Sequence, residues 1–204
     1  MKLYDYPKSS AAYRVRIALN LKGLKAEQVS VNLLEGAQKS EDYKMMNPQG
    51  LVPTLETEQG YLSQSLAILE YLEVLHPQVP LLPENEWDKA QVRSMAYAIS
   101  CDIHPLNNLR VLKYLTDELS ISEEQKQSWY AHWIQEGFQA LENKVGNGNY
   151  CFADTPSLAD VCLVPQMYNA RRFDIDLSTF PKLVSIDKRL QTLPEISAAA
   201  PEAQ

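Results

Sequence analysis

The order in which hydrophobic periodicities succeed one another over residues 1–75 constrains this chain more than any single motif. Lys2 to Tyr6 reads as a short strand and Pro7 to Ala12 as a polar loop of small residues. From Tyr13 to Lys22 the pattern turns helical, with Ile17, Ala18 and Leu21 on one face and Gly23 where a C-terminal cap falls. Ala26 to Asn32 predicts a second strand, and a loop through Gly36 leads to a short helix around Ser40 to Met45. Leu51 to Glu56 predicts a third strand, turning at Glu58-Gln59-Gly60 into Tyr61-Leu62-Ser63. Gln64 to Leu75 follows as a helix whose apolar face is Ile68, Leu69, Leu72 and Leu75. A strand–helix–strand series implies a parallel pair, and the hairpin adds antiparallel strands to the same sheet.

A four-stranded mixed sheet flanked by helices satisfies that order, and a thioredoxin-like fold fits the description. The stretch His76-Pro77-Gln78-Val79-Pro80-Leu81-Leu82-Pro83 then interrupts all regular structure, because prolines stop helices and stiffen linkers. Beyond it the strand signals fade. Val92, Met95, Ala96, Ile99, Ile103 and Leu106 predict a helix kinked at Pro105, and Tyr130 to Val145 a long helix ended by Gly146-Asn147-Gly148. Leu158 to Met167 is apolar on nearly every side, so it predicts a helix buried all round, started by Ser157 with Asp160 three residues later. Leu183, Ile186 and Leu190 give one more helix. The expected organisation is α/β plus all-α: a thioredoxin-like domain at 1–82 and a helical domain at 83–204.

Charge narrows the class of partner. With 19 Lys+Arg against 26 Asp+Glu, the formal charge is -7. A nucleic acid or anionic membrane surface is therefore not expected as a partner, since phosphate binding draws on positive charge. No stretch approaches the roughly 18 consecutive apolar residues of a membrane span, and the N-terminus MKLYDYPKSS has no secretory pattern. Cys101, Cys151 and Cys162 are odd in number and widely spaced, which fits neither a disulfide framework nor a zinc ribbon and points to a reducing, cytoplasmic setting. Cys101 and His104 are spaced like two ligands on a helix face, but no third or fourth ligand is evident and no metal site is read.

Three segments carry chemistry. Lys8-Ser9-Ser10-Ala11-Ala12-Tyr13-Arg14-Val15-Arg16 lies between a strand and a helix, where unpaired N–H groups and the helix dipole favour an anion. Ser9 or Ser10 equally suits a plain N-cap, and the two roles are compatible. Val52-Pro53 precedes a strand; an ordinary trans proline and a cis bond that turns Val52's backbone toward a ligand both fit. Gln64-Ser65 opens a helix and suits either a carboxylate or a cap without ligand.

Taken in order, SSAAYRVRIALNLKG, NPQGLVPTL, QSLAILEYL, IHPLNNLRVLKYL and SLADVCLVPQMYNARRFDIDL resemble the zeta class of cytosolic glutathione transferases, which includes maleylacetoacetate isomerases. The resemblance covers nearly the whole chain. It departs at Ala11, where the zeta pattern reads cysteine, and at Tyr13, where Trp or His is common; His104 stands where glutamine is commoner. The resemblance implies glutathione as cofactor, with Ser9 facing its sulfur and Ser10, Ala11 and Arg14 in the same loop. It further implies Gln38 at the glycyl end, Val52 as backbone partner of the cysteinyl residue, Gln64 and Ser65 on the γ-glutamyl carboxylate, and His104 and Asn108 lining the cleft. The implied catalytic residues are Ser9 and Ser10.

The implied reaction is cis–trans isomerisation of maleylacetoacetate by thiolate addition, rotation about the resulting single bond, and elimination, with a homodimer as the usual assembly. Maleylpyruvate isomerisation, general conjugation and a non-catalytic interaction protein on the same fold are the alternatives. A dianionic substrate needs cations, for which Lys8, His104, Arg110 and Arg172 are the candidates, ahead of Arg171. A thiol titrating near ~8.5 must gain about 2.7 kcal/mol to ionise two units lower. One hydrogen bond to a charged group supplies ~1.5–3 kcal/mol and a helix N-terminus ~0.3–1 kcal/mol, so a serine at a helix start suffices in magnitude.

Overall fold

The computed structural model describes all residues, Met1–Gln204. Strands β1 (Lys2–Asp5), β2 (Glu27–Ser30), β3 (Thr54–Thr57) and β4 (Gly60–Ser63) form one sheet in the order β2-β1-β3-β4. The β1–β2 pair is parallel and the β1–β3 and β3–β4 pairs are antiparallel, the mixed sheet expected from the order of periodicities. Alternation along β1 sends Leu3 and Asp5 to one face and Tyr4 to the other. Leu3 lies opposite Leu55 in register. Both pack with Val15 and Leu19 of α1 (Ser10–Leu21) and with Ile68 and Leu72 of α3 (Ser65–Leu75). On the opposite face Val31, Val52 and Tyr43, from α2 (Glu41–Met46), form a smaller core with Tyr4 and Met46.

Helix α1 begins earlier than expected, because Ser9 caps it: the Ser9 side chain accepts from Ala12 N–H at 3.3 Å. At its other end Gly23 has φ +66°, the left-handed conformation that terminates helices. Lys22, the C-cap residue, is buried and fully partnered. Its Nζ pairs with Glu73 at 2.7 Å and donates to the carbonyls of His76 at 2.9 Å and Val79 at 2.7 Å. Glu73 also accepts from Leu81 N–H. One ammonium thus ties the ends of α1 and α3 to the proline-rich segment.

The second unit is all-helical: α4 (Glu86–Tyr97), α5 (Leu109–Asp117), α6 (Glu123–Lys144), α7 (Leu158–Arg172) and α8 (Pro181–Leu190). Twelve of the fifteen residues of α7 are buried, which makes it the central helix, as its unbroken apolar pattern implies. Asp160 fixes its start by accepting from Ser157 N–H at 2.8 Å and from Cys151 N–H at 2.9 Å.

Two expectations need correction. Pro105 does not kink a continuing helix. After α4 the chain passes through a π-helical turn, Ala98–Ile103, and a 3-10 turn, His104–Asn107, and Asn108 then caps the separate helix α5. The cause is local. Proline lacks the donor a helix needs, and Asn108 Oδ1 accepts from Arg110 N–H at 3.1 Å to begin again. Second, the compact units are Met1–Leu81 with Gln191–Gln204, and Leu82–Leu190. The C-terminal segment, expected in the helical domain at 83–204, belongs with the sheet. Its short helix α9 (Pro194–Ser197) packs on α1, where Asn20 Nδ2 donates to Glu195 O at 2.9 Å and Arg16 Nε to Ala199 O at 2.9 Å.

Breaking a buried ion pair from one side leaves an uncompensated charge. Lys22→Met is accordingly expected to lower stability by about 3 kcal/mol. Calorimetry should read this as a Tm drop of roughly 6–12 °C. The exposed neighbour Lys25→Ala should leave Tm essentially unchanged.

Candidate active site

The chain enters the site through a tight turn. Ser9 N–H donates to Tyr6 O at 2.8 Å, closing Tyr6-Pro7-Lys8-Ser9 with proline at the second position, where its fixed φ suits the turn. Ser9 follows in an extended conformation and presents a half-buried hydroxyl at the start of α1. Ser10 is the first helical residue and is buried, Ala11 is half-buried, and Lys8 is exposed. Of the two serines, Ser9 is the one placed at the N-terminal mouth of the helix.

A second helix start lies on the same unit. Gln64 precedes α3 with φ 71° and ψ 113°, a backbone region that costs a non-glycine residue of order 1–3 kcal/mol. The exposed Gln64 amide is tethered by Nε2 donating to Gln49 Oε1 at 2.7 Å. Ser65 follows, buried, and accepts from Arg14 Nη1 at 3.2 Å. Arg14 lies within α1 rather than in the loop before it, 1% exposed, with Nη1 on Ser65.

Between the two helix starts, Val52-Pro53 is cis. Ladder pairing of β3 begins at Thr54, so the Val52 backbone stands outside the sheet. The loop before it is braced by side chains that the sequence reading missed. Tyr43 OH donates to Leu51 O at 2.7 Å and lies 3.0 Å from Thr54 Oγ1, while Asn47 Nδ2 donates to the same carbonyl at 2.7 Å. Burial pushes the Tyr43 phenol above its ordinary pKa, partly offset by its bonds to Thr54 and Asn47, so it remains a protonated donor. Gly50 has φ +62°, and a Cβ there would meet Gln38 O at 2.9 Å, so only glycine lets these loops approach. The Gln38 side chain has a buried Oε1 that no protein group satisfies. Ser9, Gln38, Val52, Gln64 and Ser65 thus belong to one unit, which offers two helix N-termini with a free-standing backbone segment and an unsatisfied amide oxygen.

On the helical unit His104 opens the 3-10 turn and Asn108 follows it, both half-buried. The Asn108 carbonyl oxygen is engaged in capping α5, which leaves its NH₂. Arg110 is exposed in the first turn of that helix. Arg172 is exposed at the end of α7, its guanidinium 5.2 Å from the Phe173 ring centroid. Arg171 is instead committed to Asp187, which is fully buried.

Against known proteins, the Glutathione S-transferase N-terminal domain profile matches residues 1–74 and the Glutathione S-transferase C-terminal domain profile residues 105–199. A probable maleylacetoacetate isomerase of Vibrio cholerae is 50% identical over 99% of this chain and 96% of its own. The chain belongs to the glutathione transferase family. Among solved structures, a holo maleylpyruvate isomerase described as a bacterial zeta-class glutathione S-transferase aligns with TM-score 0.97 at 42% identity, covering 100% of this chain and 98% of that one. Maleylacetoacetate isomerase from Anaeromyxobacter dehalogenans, crystallised with bound dicarboxyethyl glutathione and citrate in the active site, aligns with TM-score 0.89 at 40% identity over 100% and 95%.

The features of this glutathione transferase that sequence reading missed are the braces: Tyr43, Asn47, Gln49 and the Arg14–Ser65 bond. The N-P-Q-G run signalled a turn, but nothing in it indicated which side chains would hold the turn. The strained Gln64 gives a test. Gln64→Gly should raise stability by about 1 kcal/mol, because glycine adopts positive φ without the steric cost. Chemical denaturation would show it as a higher midpoint at unchanged m-value.

Proposed function

We propose that this protein is a glutathione-dependent isomerase converting maleylacetoacetate to its trans isomer fumarylacetoacetate. The observation that carries the proposal is the Ser9 hydroxyl, held by a closed turn at the N-terminus of α1 with no cysteine beside it. The first unit's residues fit the cofactor. Ser65 and the start of α3 suit the γ-glutamyl carboxylate, the off-ladder Val52 backbone suits a peptide, and the orphaned Gln38 Oε1 awaits an N–H donor. Glutathione, when bound, supplies the sulfur nucleophile that adds to the cis double bond and leaves it again.

This chain's own part is electrostatic and positional. Ser9 donates a hydrogen bond at the sulfur position, where the α1 N-terminus adds its dipole and favours the ionised thiol. Gln64, held by Gln49, orients its neighbour Ser65, and the strain at Gln64 is consistent with a geometry kept for binding. On the helical unit the exposed Arg110 and Arg172, with His104, suit a carboxylate of the substrate, and on the first unit the exposed Lys8 is the candidate cation. Maleylpyruvate is the second substrate to consider, favoured by the TM-score of 0.97 to a maleylpyruvate isomerase. The exposed apolar side chains of Met45, Tyr61 and Val74 on one unit and Trp87 on the other suit a homodimer, which sedimentation equilibrium tests against the 23.1 kDa chain mass. No helix is long and apolar enough to cross a membrane, and a cytoplasmic setting agrees with three free cysteines.

Turnover of maleylacetoacetate and maleylpyruvate, each with and without glutathione, decides the reading; no turnover of either would overturn it. Ser9→Ala should lower kcat/KM about 100-fold, the equivalent of ~2.7 kcal/mol. It should also cost about 1 kcal/mol of stability through the lost cap. Arg110→Ala should raise KM for the dicarboxylate about tenfold with kcat nearly unchanged. Lys113→Ala on the same helix should alter neither.

A further inference from the structure

Arg16 closes the Lys8–Arg16 segment without a catalytic or binding role of its own there, yet its guanidinium makes four hydrogen bonds. Its Nη1 donates to Asp5 Oδ1 at 2.8 Å and Oδ2 at 2.7 Å, its Nη2 to Pro7 O at 2.8 Å, and its Nε to Ala199 O at 2.9 Å. Every guanidinium nitrogen is engaged, and the group is buried beside the Tyr13 ring, 5.1 Å from its centroid. Pro7 is the second residue of the turn that presents Ser9, and Asp5 ends β1. A planar fork that bonds a carboxylate and two backbone carbonyls from three separate parts of the chain fixes their relative positions, which a flexible point charge would not do. Asp5 neutralises the cation locally, so Arg16 has little charge to lend to an anion at Ser9 and must act through geometry.

We propose that Arg16 is a positioning residue for Ser9. It fastens the Tyr6–Ser9 turn to β1 and to the C-terminal segment, and thereby sets how fully a thiol held at Ser9 ionises. The proposal rests on the reading of Ser9 as the sulfur's hydrogen-bond donor. Residues far beyond the site in sequence, through Ala199, then contribute to the nucleophile without touching it.

The test is a pH titration of thiolate ultraviolet absorbance for glutathione bound to the full-length protein. Arg16→Gln should raise the bound thiol's pKa by about one unit, a tenfold loss of thiolate near neutrality, while changing glutathione Kd less than about threefold. Arg16→Lys, which keeps the Asp5 pair but loses the fork, should fall between wild type and Arg16→Gln. A chain ending at Ser197, which removes the Ala199 arm together with the buried Ala199 and Pro201, should shift the pKa in the same direction by less. A stable Arg16→Gln protein whose bound thiol titrates as in wild type overturns the proposal and leaves Arg16 a purely structural ion pair. Where Arg16→Gln does not fold, an unshifted thiol in both Arg16→Lys and the shortened chain overturns it equally. Absence of any thiolate signal in the wild-type protein would instead overturn the reading of Ser9 itself.

Discussion

Three buried cations on one helix hold this protein's chemistry in place. Arg14, Arg16 and Lys22 all lie on or at the end of α1, each less than a tenth exposed. A cation removed from water carries a desolvation cost of several kcal/mol unless its donors are met, as those of Arg16 and Lys22 are, so a saturated cation fixes what meets it. Arg14 meets Ser65 at the start of α3; Arg16 meets β1, the turn before Ser9 and the C-terminal segment; Lys22 meets Glu73 and the proline-rich stretch. Helix α1 is thereby the common reference for both helix N-termini at the site and for the exit of the chain toward the second unit. The apolar side of the helix, Val15 and Leu19 against Leu3 and Leu55, supplies the driving force for docking, while the cations supply the register.

Much of this architecture was legible in the sequence because it depends on periodicity and on residues with special backbones. The βαβ–ββα order, the buried α7 and the cap at Asp160 follow from spacing and from short-range hydrogen bonds. Gly23 marked a helix end by its identity, whereas Pro53 alone fitted a trans bond as well as the cis bond found. Failures came where an outcome depends on a partner distant in sequence. Nothing in the Lys8–Arg16 run showed that Arg14 would meet Ser65, 51 residues on, or that Arg16 would reach Ala199, 183 residues away. Periodicity assigns a face to a side chain but cannot name what that face meets. The same limit hid the C-terminal segment's return to the sheet and the bracing of Val52 by Tyr43 and Asn47.

Helix α5 was missed for a different reason. The apolar spacing through Ile103 and Leu106 continues across Pro105, and periodicity alone favoured one kinked helix. Asn108 overrides it: a short polar side chain that bonds the backbone two residues ahead offers the chain a new start. The π-helical turn before it shifts the phase of the side chains, and Gly137 lets α6 approach closely enough that a Cβ there would fall 2.3 Å from Ile103. Sequence spacing between His104 and Arg110 therefore says nothing reliable about a shared face, since two different helical geometries and a cap intervene.

The distribution of cations separates two tasks in an acidic protein. A cation that is to receive a substrate's carboxylate must be reachable and uncommitted, which describes Lys8, Arg110 and Arg172 but not Arg171, whose guanidinium belongs to Asp187. A cation that is to hold a geometry must be buried and saturated, which describes Arg16 and Lys22. Where Ser9 is proposed to meet the sulfur, the first turn of α1 holds neither an acidic nor a basic residue and its cap is a neutral hydroxyl. A full positive charge there would stabilise the thiolate more strongly and so weaken it as a nucleophile and hold it back from bonding to carbon. A reaction that requires the same sulfur to add and then to leave is better served by an anion of intermediate stability, which one hydroxyl and one helix terminus are of the right size to provide.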